Sequence, residues 1–262
     1  MTTHVAPEAA LRLRRPRPFR RGSALVVLCA LSVLGGGAPA VAAPPSAACE
    51  VVNPAQGAAW GSLNGSALTE ALSAAEDGDR LTVQGTCPGS YSVDVDVHLV
   101  GIPTDGRRAT LRGLSNGVIV AVPHDTTVTL QNLRITGGRA RGAAFDEGAV
   151  VTLRNVRIDH NRTPQAGAGV VNGADLTVIG SRIDHNTSTQ GGGGIFNYGD
   201  IELLRTRVIR NTDPDYGGGM FSEGVSRIAY STIRYNRIED LTTVNTTEIV
   251  CSQIGDQPPT GC

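Results

Sequence analysis

The feature that most constrains this chain is a repeat. Aligning VTLQNLRITGG (128–138), VTLRNVRIDHN (151–161), LTVIGSRIDHN (176–186), IELLRTRVIRN (201–211) and SRIAYSTIRYN (226–236) gives offsets of 23, 25, 25 and 25 residues. TEIVCSQIGDQ (247–257) is a worn sixth copy at an offset of 21. One column is always aliphatic: Leu130, Leu153, Val178, Leu203, Ile228 and Ile249. A second follows five residues later with Ile135, Ile158, Ile183, Val208, Ile233 and Ile254. A third is expected upstream at Val122, Phe145, Val170, Ile195 and Met220. β-branched residues between glycine corners, with no helical run, indicate short strands. Helical repeats would not tolerate Gly191 to Gly194, and leucine-rich repeats need a denser leucine pattern. The remaining solution is an all-β parallel β-helix whose coils stack at about 4.8 Å, so that equivalent residues form ladders along the axis.

Such a ladder explains a polar column. Asn161, Asn186, Asn211 and Asn236 fall at one site in four consecutive coils. There their amides can bond one another and the turn backbone, and asparagine is expected to supply the left-handed residue of the corner. Asn161-Arg-Thr and Asn186-Thr-Ser match the glycosylation triplet, but a ladder position is poorly accessible. The glycines of GGGGIFN (191–197) recur in GGGMFS (217–222) and, altered, in Gly167-Ala168-Gly169. A phosphate loop occurs once and precedes a helix, whereas here a strand follows each time. They mark corners.

The GGGIFN and GGGMFS corners, each after a strand ending in asparagine, resemble the right-handed parallel β-helix repeats of exported actinobacterial proteins. More distantly they resemble the repeats of polymorphic outer-membrane proteins, within the wider pectate-lyase-like superfamily. The resemblance spans residues 49–257 and implies a right-handed coil; it carries no specific activity. SALTEALSAAEDGD (66–79) reads as a capping helix, with Ser66 as N-cap, Leu68, Ala71, Leu72 and Ala75 on one face, and Gly78 at its end. The expected organisation is a signal peptide at 1–42, an amino-terminal segment and capping helix at 43–80, the β-helix at 81–257 and a tail at 258–262.

The signal assignment rests on order: six arginines between Arg12 and Arg21, an apolar run from Ala24 to Leu34, then APAVAA at 38–43. The run is too short to span a bilayer permanently, so the mature protein is expected outside the cell without membrane insertion. Arg20-Arg21 leaves both the general and the twin-arginine route open. Removing those arginines and Glu8 from 23 basic and 24 acidic residues leaves 17 and 23, a formal charge of −6. With that balance no basic patch is expected, which argues against nucleic acid as a partner. Four cysteines remain, Cys49, Cys87, Cys251 and Cys262. An even count in an exported chain suggests two disulfides. Of three pairings, Cys49 with Cys87 and Cys251 with Cys262 is favoured because each closes a local end.

The best chemical candidate is the repeated RIDHN, which sets Asp159 and His160 one coil below Asp184 and His185. Carboxylates about 5 Å apart suit a retaining glycosidase if one holds a raised pKa. Against this, their column reads Thr136, Asp159, Asp184, Ile209, Arg234, a variable face, and Asp184 could pair with Arg234 or with the ladder Arg134, Arg157, Arg182, Arg207. A lyase would need calcium, for which Asp213, Asp215 and Glu239 are the acidic candidates. Otherwise no cofactor or metal is expected. Phe145, Phe196 and Phe221 are assigned to packing, and Tyr198, Tyr216, Tyr230 and Tyr235 to a modest aromatic face. The expected role is an exported, monomeric, non-catalytic β-helix that binds a polysaccharide or a cell-surface protein. The alternative is a small polysaccharide lyase or glycosidase.

Overall fold

A computed structural model describes residues 48–114, 117–260 and 262; the expected signal peptide lies outside them. The chain winds into a right-handed parallel β-helix with three sheets. The first sheet gathers strands such as Thr127–Gln131, Val150–Arg154 and Asp175–Ile179. After one corner the second takes Leu133–Thr136, Arg157–Asp159 and Arg182–Asp184. After a longer corner the third takes Arg141–Phe145, Val170–Asn172 and Ile195–Asn197. The third sheet has seven strands, so the coil completes seven turns. Side chains alternate inward and outward along each strand. The aliphatic columns beginning at Leu130 and Ile135 lie in register to their last members and are buried except at the half-buried Ile249 and Ile254 of the final coil.

The third expected column needs correction. Val120, Ala143, Val170, Ile195 and Met220 pair in register, whereas Val122 and Phe145 lie one inward position further along, opposite Asn172. The connection between the second and third sheets lengthens from 137–140 to 160–169, and an alignment by aliphatic type slides across that change.

Each corner carries a buried polar ladder that satisfies the main-chain groups freed by the turn. At the expected ladder, Asn161, Asn186 and Asn211 each donate Nδ2–H to the next Oδ1 at 3.0 Å, ending on Asn236. Each Oδ1 also accepts the main-chain N–H of the preceding asparagine at 2.8–3.0 Å. The left-handed residue is not asparagine but its predecessor: His160, His185, Arg210 and Tyr235 have φ between 55° and 61°. Two further ladders went unread in the sequence. Ser181, Thr206, Ser231 and Ser252 accept successive main-chain N–H groups at the corner between the first and second sheets. Asn172 donates to Asn197 at 2.7 Å and Asn197 to Ser222 at 3.0 Å at the corner leading back to the first. At Gly194 a Cβ would lie 2.4 Å from the Gly219 carbonyl oxygen, so glycine sets how closely the coils approach there.

The amino-terminal end is closed by more than a helix. Cys49–Asn53 pairs antiparallel with Ala58–Ser62 and with the first coil strand, and Cys49 is bonded to Cys87. The helix spans Ser66–Ala74 and buries Ala67, Leu68, Ala71 and Leu72. Its N-cap is Gly65, not Ser66, with Ser62 Oγ accepting the N–H groups of Gly65 and Ala67, and it ends before Gly78. At the other end Cys251 is bonded to Cys262, and Thr260 bridges back to Ser252 beyond the two prolines. Both favoured pairings are therefore present.

The asparagine ladder gives a sharp expectation. Asn186→Ala orphans the buried Asn161 N–H and breaks the amide chain, so urea unfolding should show a loss of about 2–3 kcal/mol. An unchanged midpoint would mean that the ladder is ornamental.

Candidate functional site

The second sheet turns its outward positions into two adjacent columns. One reads Arg134, Arg157, Arg182, Arg207; the other Thr136, Asp159, Asp184, Ile209. Strand register thus sets arginine beside aspartate on consecutive coils, and the two types interleave. Arg134 Nε donates to Asp159 Oδ1 and Nη2 to Oδ2, each at 2.8 Å. Arg157 Nε lies 2.9 Å from Asp159, while its Nη2 donates to Asp184 at 2.9 Å. Arg182 Nε lies 3.1 Å from Asp184, so the lattice alternates in charge over three coils. Both aspartate side chains are 0% exposed, roofed by arginines that keep about a third of their own surface in solvent.

His160 and His185 stand at the rim of this lattice. Their left-handed corner position aims each ring back at the preceding aspartate, with Nδ1 at 3.3 Å from Asp159 and 2.7 Å from Asp184. The rings stack with centroids 5.1 Å apart and planes 5° from parallel. All four candidate catalytic residues are therefore brought together on one face.

The electrostatics run against an acid catalyst at Asp184. Burial pushes its pKa up, but hydrogen bonds from Arg182, Arg157 and His185 outweigh that effect and hold it below the ordinary carboxylate value. Asp184 therefore does not meet the condition of a raised pKa that the glycosidase reading sets. Of the two partners open to Asp184, the arginine ladder holds it through Arg157 and Arg182, whereas Arg234 bonds Gln253, lies 3.5 Å from Asp256 and stacks over Tyr235.

The acidic calcium candidates do not assemble. The Asp213 carboxylate is fully buried and accepts Ser188 Oγ at 2.5 Å and the N–H groups of Gly191 and Asp215 at 2.8 and 2.9 Å. It braces the glycine corner. Among the described residues no three acidic, histidine or cysteine side chains gather at metal spacing.

Sequence reasoning missed a cleft of about 360 Å³ at the corner between the third and first sheets, lined by Glu147, Asp175, Tyr198 and Asp200. Asp175 and Asp200 are neighbours in register on consecutive coils. Their spacing of 25 residues was the available signal. The Tyr198 ring lies against Gly173, where a Cβ would approach it to 2.4 Å, and the residue stays 48% exposed. Phe196 and Phe221 pack as expected, but on the outward side of the third sheet: they stack at 5.3 Å, with Tyr216 beside Phe221 at 5.1 Å, Phe196 half-buried and Phe221 buried. Phe145 fills the interior of the coil at 0% exposure.

Residues 109–254 match the family described as the right-handed beta helix region. The chain belongs to that family. Searches of the curated proteins and of the solved structures return no match. Membership agrees with the three-sheet coil and gives this right-handed β-helix protein a scaffold without prescribing a ligand. The two disulfides of this β-helix fit an oxidising, extracellular setting, and no described helix is long and apolar enough to cross a membrane.

The lowered pKa of Asp184 fixes the sign of an acid effect. A carboxylate whose folded value is depressed stabilises the fold above its unfolded value and loses that contribution as pH falls through the folded one. Thermal unfolding should therefore shift downward below about pH 4, and Asp184→Asn should flatten that acid limb while lowering neutral-pH stability by about 1.5–3 kcal/mol. An acid limb identical in the variant would show that the lattice does not hold this proton off.

Proposed function

We propose that this is an exported β-helix that binds glycans or proteins at or outside the cell surface, as an adhesive or scaffolding element without catalysis of its own. The observation that carries this reading is the arginine lattice. The pair of carboxylates best suited by sequence to glycoside chemistry is enclosed by guanidinium groups, which leave no lone pair aimed at solvent and keep Asp184 ionised. A general acid needs the opposite environment, a desolvated carboxyl that keeps its proton. The basic segment before Ala24, the apolar run and the Ala-x-Ala site support export, and the two disulfides suit the destination.

One observation favours a second reading. The cleft of Glu147, Asp175 and Asp200 beside the Tyr198 ring offers solvent-facing carboxylates that, among the described residues, neither ion pairs nor side-chain hydrogen bonds occupy, next to a ring able to stack on a sugar. A small glycosidase would act there rather than at Asp159 and Asp184. A lyase would in addition need calcium, for which no site is gathered among the described residues.

A panel of neutral and acidic polysaccharides, incubated with the full chain with and without calcium, decides between them. Binding without release of reducing ends or unsaturated products is expected. Product release that Asp184→Ala abolishes would overturn the binding reading in favour of the original pair. Release that survives Asp184→Ala but not Asp175→Asn with Asp200→Asn would place an enzyme in the cleft.

A further inference from the structure

The expectation of no basic patch fails on the second face. The chain is acidic overall once the amino-terminal arginines are set aside, yet this face collects an excess of cations. Four arginines, Arg134, Arg157, Arg182 and Arg207, occupy one column on consecutive coils. Over those four coils the neighbouring column answers them with two aspartates only, because Thr136 and Ile209 stand beside the outer two arginines. Both aspartates lie beneath the guanidiniums, so the layer that meets solvent is cationic. Arg207 has Ile209 where its coil would place an aspartate. Among the described residues its guanidinium, and that of Arg210 at the adjoining corner, has neither an ion pair nor a hydrogen bond.

From this the geometry points to the second face as a track for a linear acidic polysaccharide, whose carboxylate or sulfate groups lie along the arginine column. This rests on the glycan-binding reading above and names the ligand class. Parallel strand pairing sets the arginines at steps of about 4.8 Å along a straight axis, so the array suits a polymer with recurring charges better than a compact anion. Asp159 and Asp184 hold three of the four side chains in place before any ligand arrives, which lowers the ordering cost of binding. The exposed edges of those guanidiniums, and all of Arg207, remain to meet planar oxyanions in the paired geometry that arginine favours. Two disulfides place the chain in an oxidising setting, where the abundant linear polyanions are acidic glycans rather than nucleic acids.

The test titrates the full chain with dextran sulfate, polygalacturonate and neutral dextran at several salt concentrations. One or both acidic polymers should bind, with affinity that falls as salt rises, and neutral dextran should not. The two acidic polymers separate sulfate from carboxylate preference. Arg207→Gln with Arg210→Gln should weaken binding roughly fivefold and reduce its salt dependence, since two exposed charges contribute modestly. Arg227→Gln, on the first face, should leave binding unchanged, and an unaltered melting curve in all variants keeps folding out of the comparison. Binding to neutral dextran alone, or acidic-polymer binding indifferent to Arg207 and Arg210, overturns the track while the broader glycan reading stands. Tighter, Arg207-dependent binding to duplex DNA also overturns it. Binding to no polysaccharide at all would remove the glycan reading and the track together.

Discussion

Everything in this molecule depends on the main-chain hydrogen bonds between one coil and the next. Parallel pairing in constant register places residue i over residue i+25 through the central turns, so a sequence column becomes a physical column. Aliphatic columns then fill the interior, where each buried side chain removes apolar surface from water at roughly 25 cal/mol per Å². Outward columns become stripes of one chemistry. The same pairing that stabilises the coil writes the surface.

The weak points of such a coil are its corners, where the strand ladders stop and main-chain groups lose their partners. Here those groups are met by stacked side chains: the asparagines from Asn161 to Asn236, the hydroxyls from Ser181 to Ser252, and Asn172, Asn197 and Ser222. Each ladder is itself a chain of hydrogen bonds, so a polar column is tolerated inside the fold because every member has a neighbour one coil away. The two ends lack that neighbour. At the first, an antiparallel strand and a helix cover the edge; at the other, a bridged tail and a disulfide do.

The candidate chemistry lies on the outward stripes. From sequence Asp159 and Asp184 were the best chemical candidates on an otherwise variable face, and the structure sets them in register on consecutive coils. The arginines that share the face were also visible, but which carboxylate each would reach depended on a register offset of one coil. That offset turned a possible acid pair into a neutralised lattice and left Arg207, beside Ile209, as the surplus charge.

Read alone, the sequence determined the coil, two of its three inner columns, the asparagine ladder, the glycine corners and both cysteine pairs. All but the cysteine pairs follow from periodicity, because a repeat that returns every 25 residues can bury its aliphatics only by stacking on itself, and the pairs follow from the place of the cysteines near the two ends. The tertiary structure decided what periodicity cannot encode. The third column slipped because a corner changed length between Thr136 and Val170. The amino-terminal hairpin escaped notice because Cys49–Asn53 occurs once and belongs to no repeat. The basic face was hidden in a negative total, since net charge is a sum over the whole chain while a binding surface is set by which side chains one sheet turns to water.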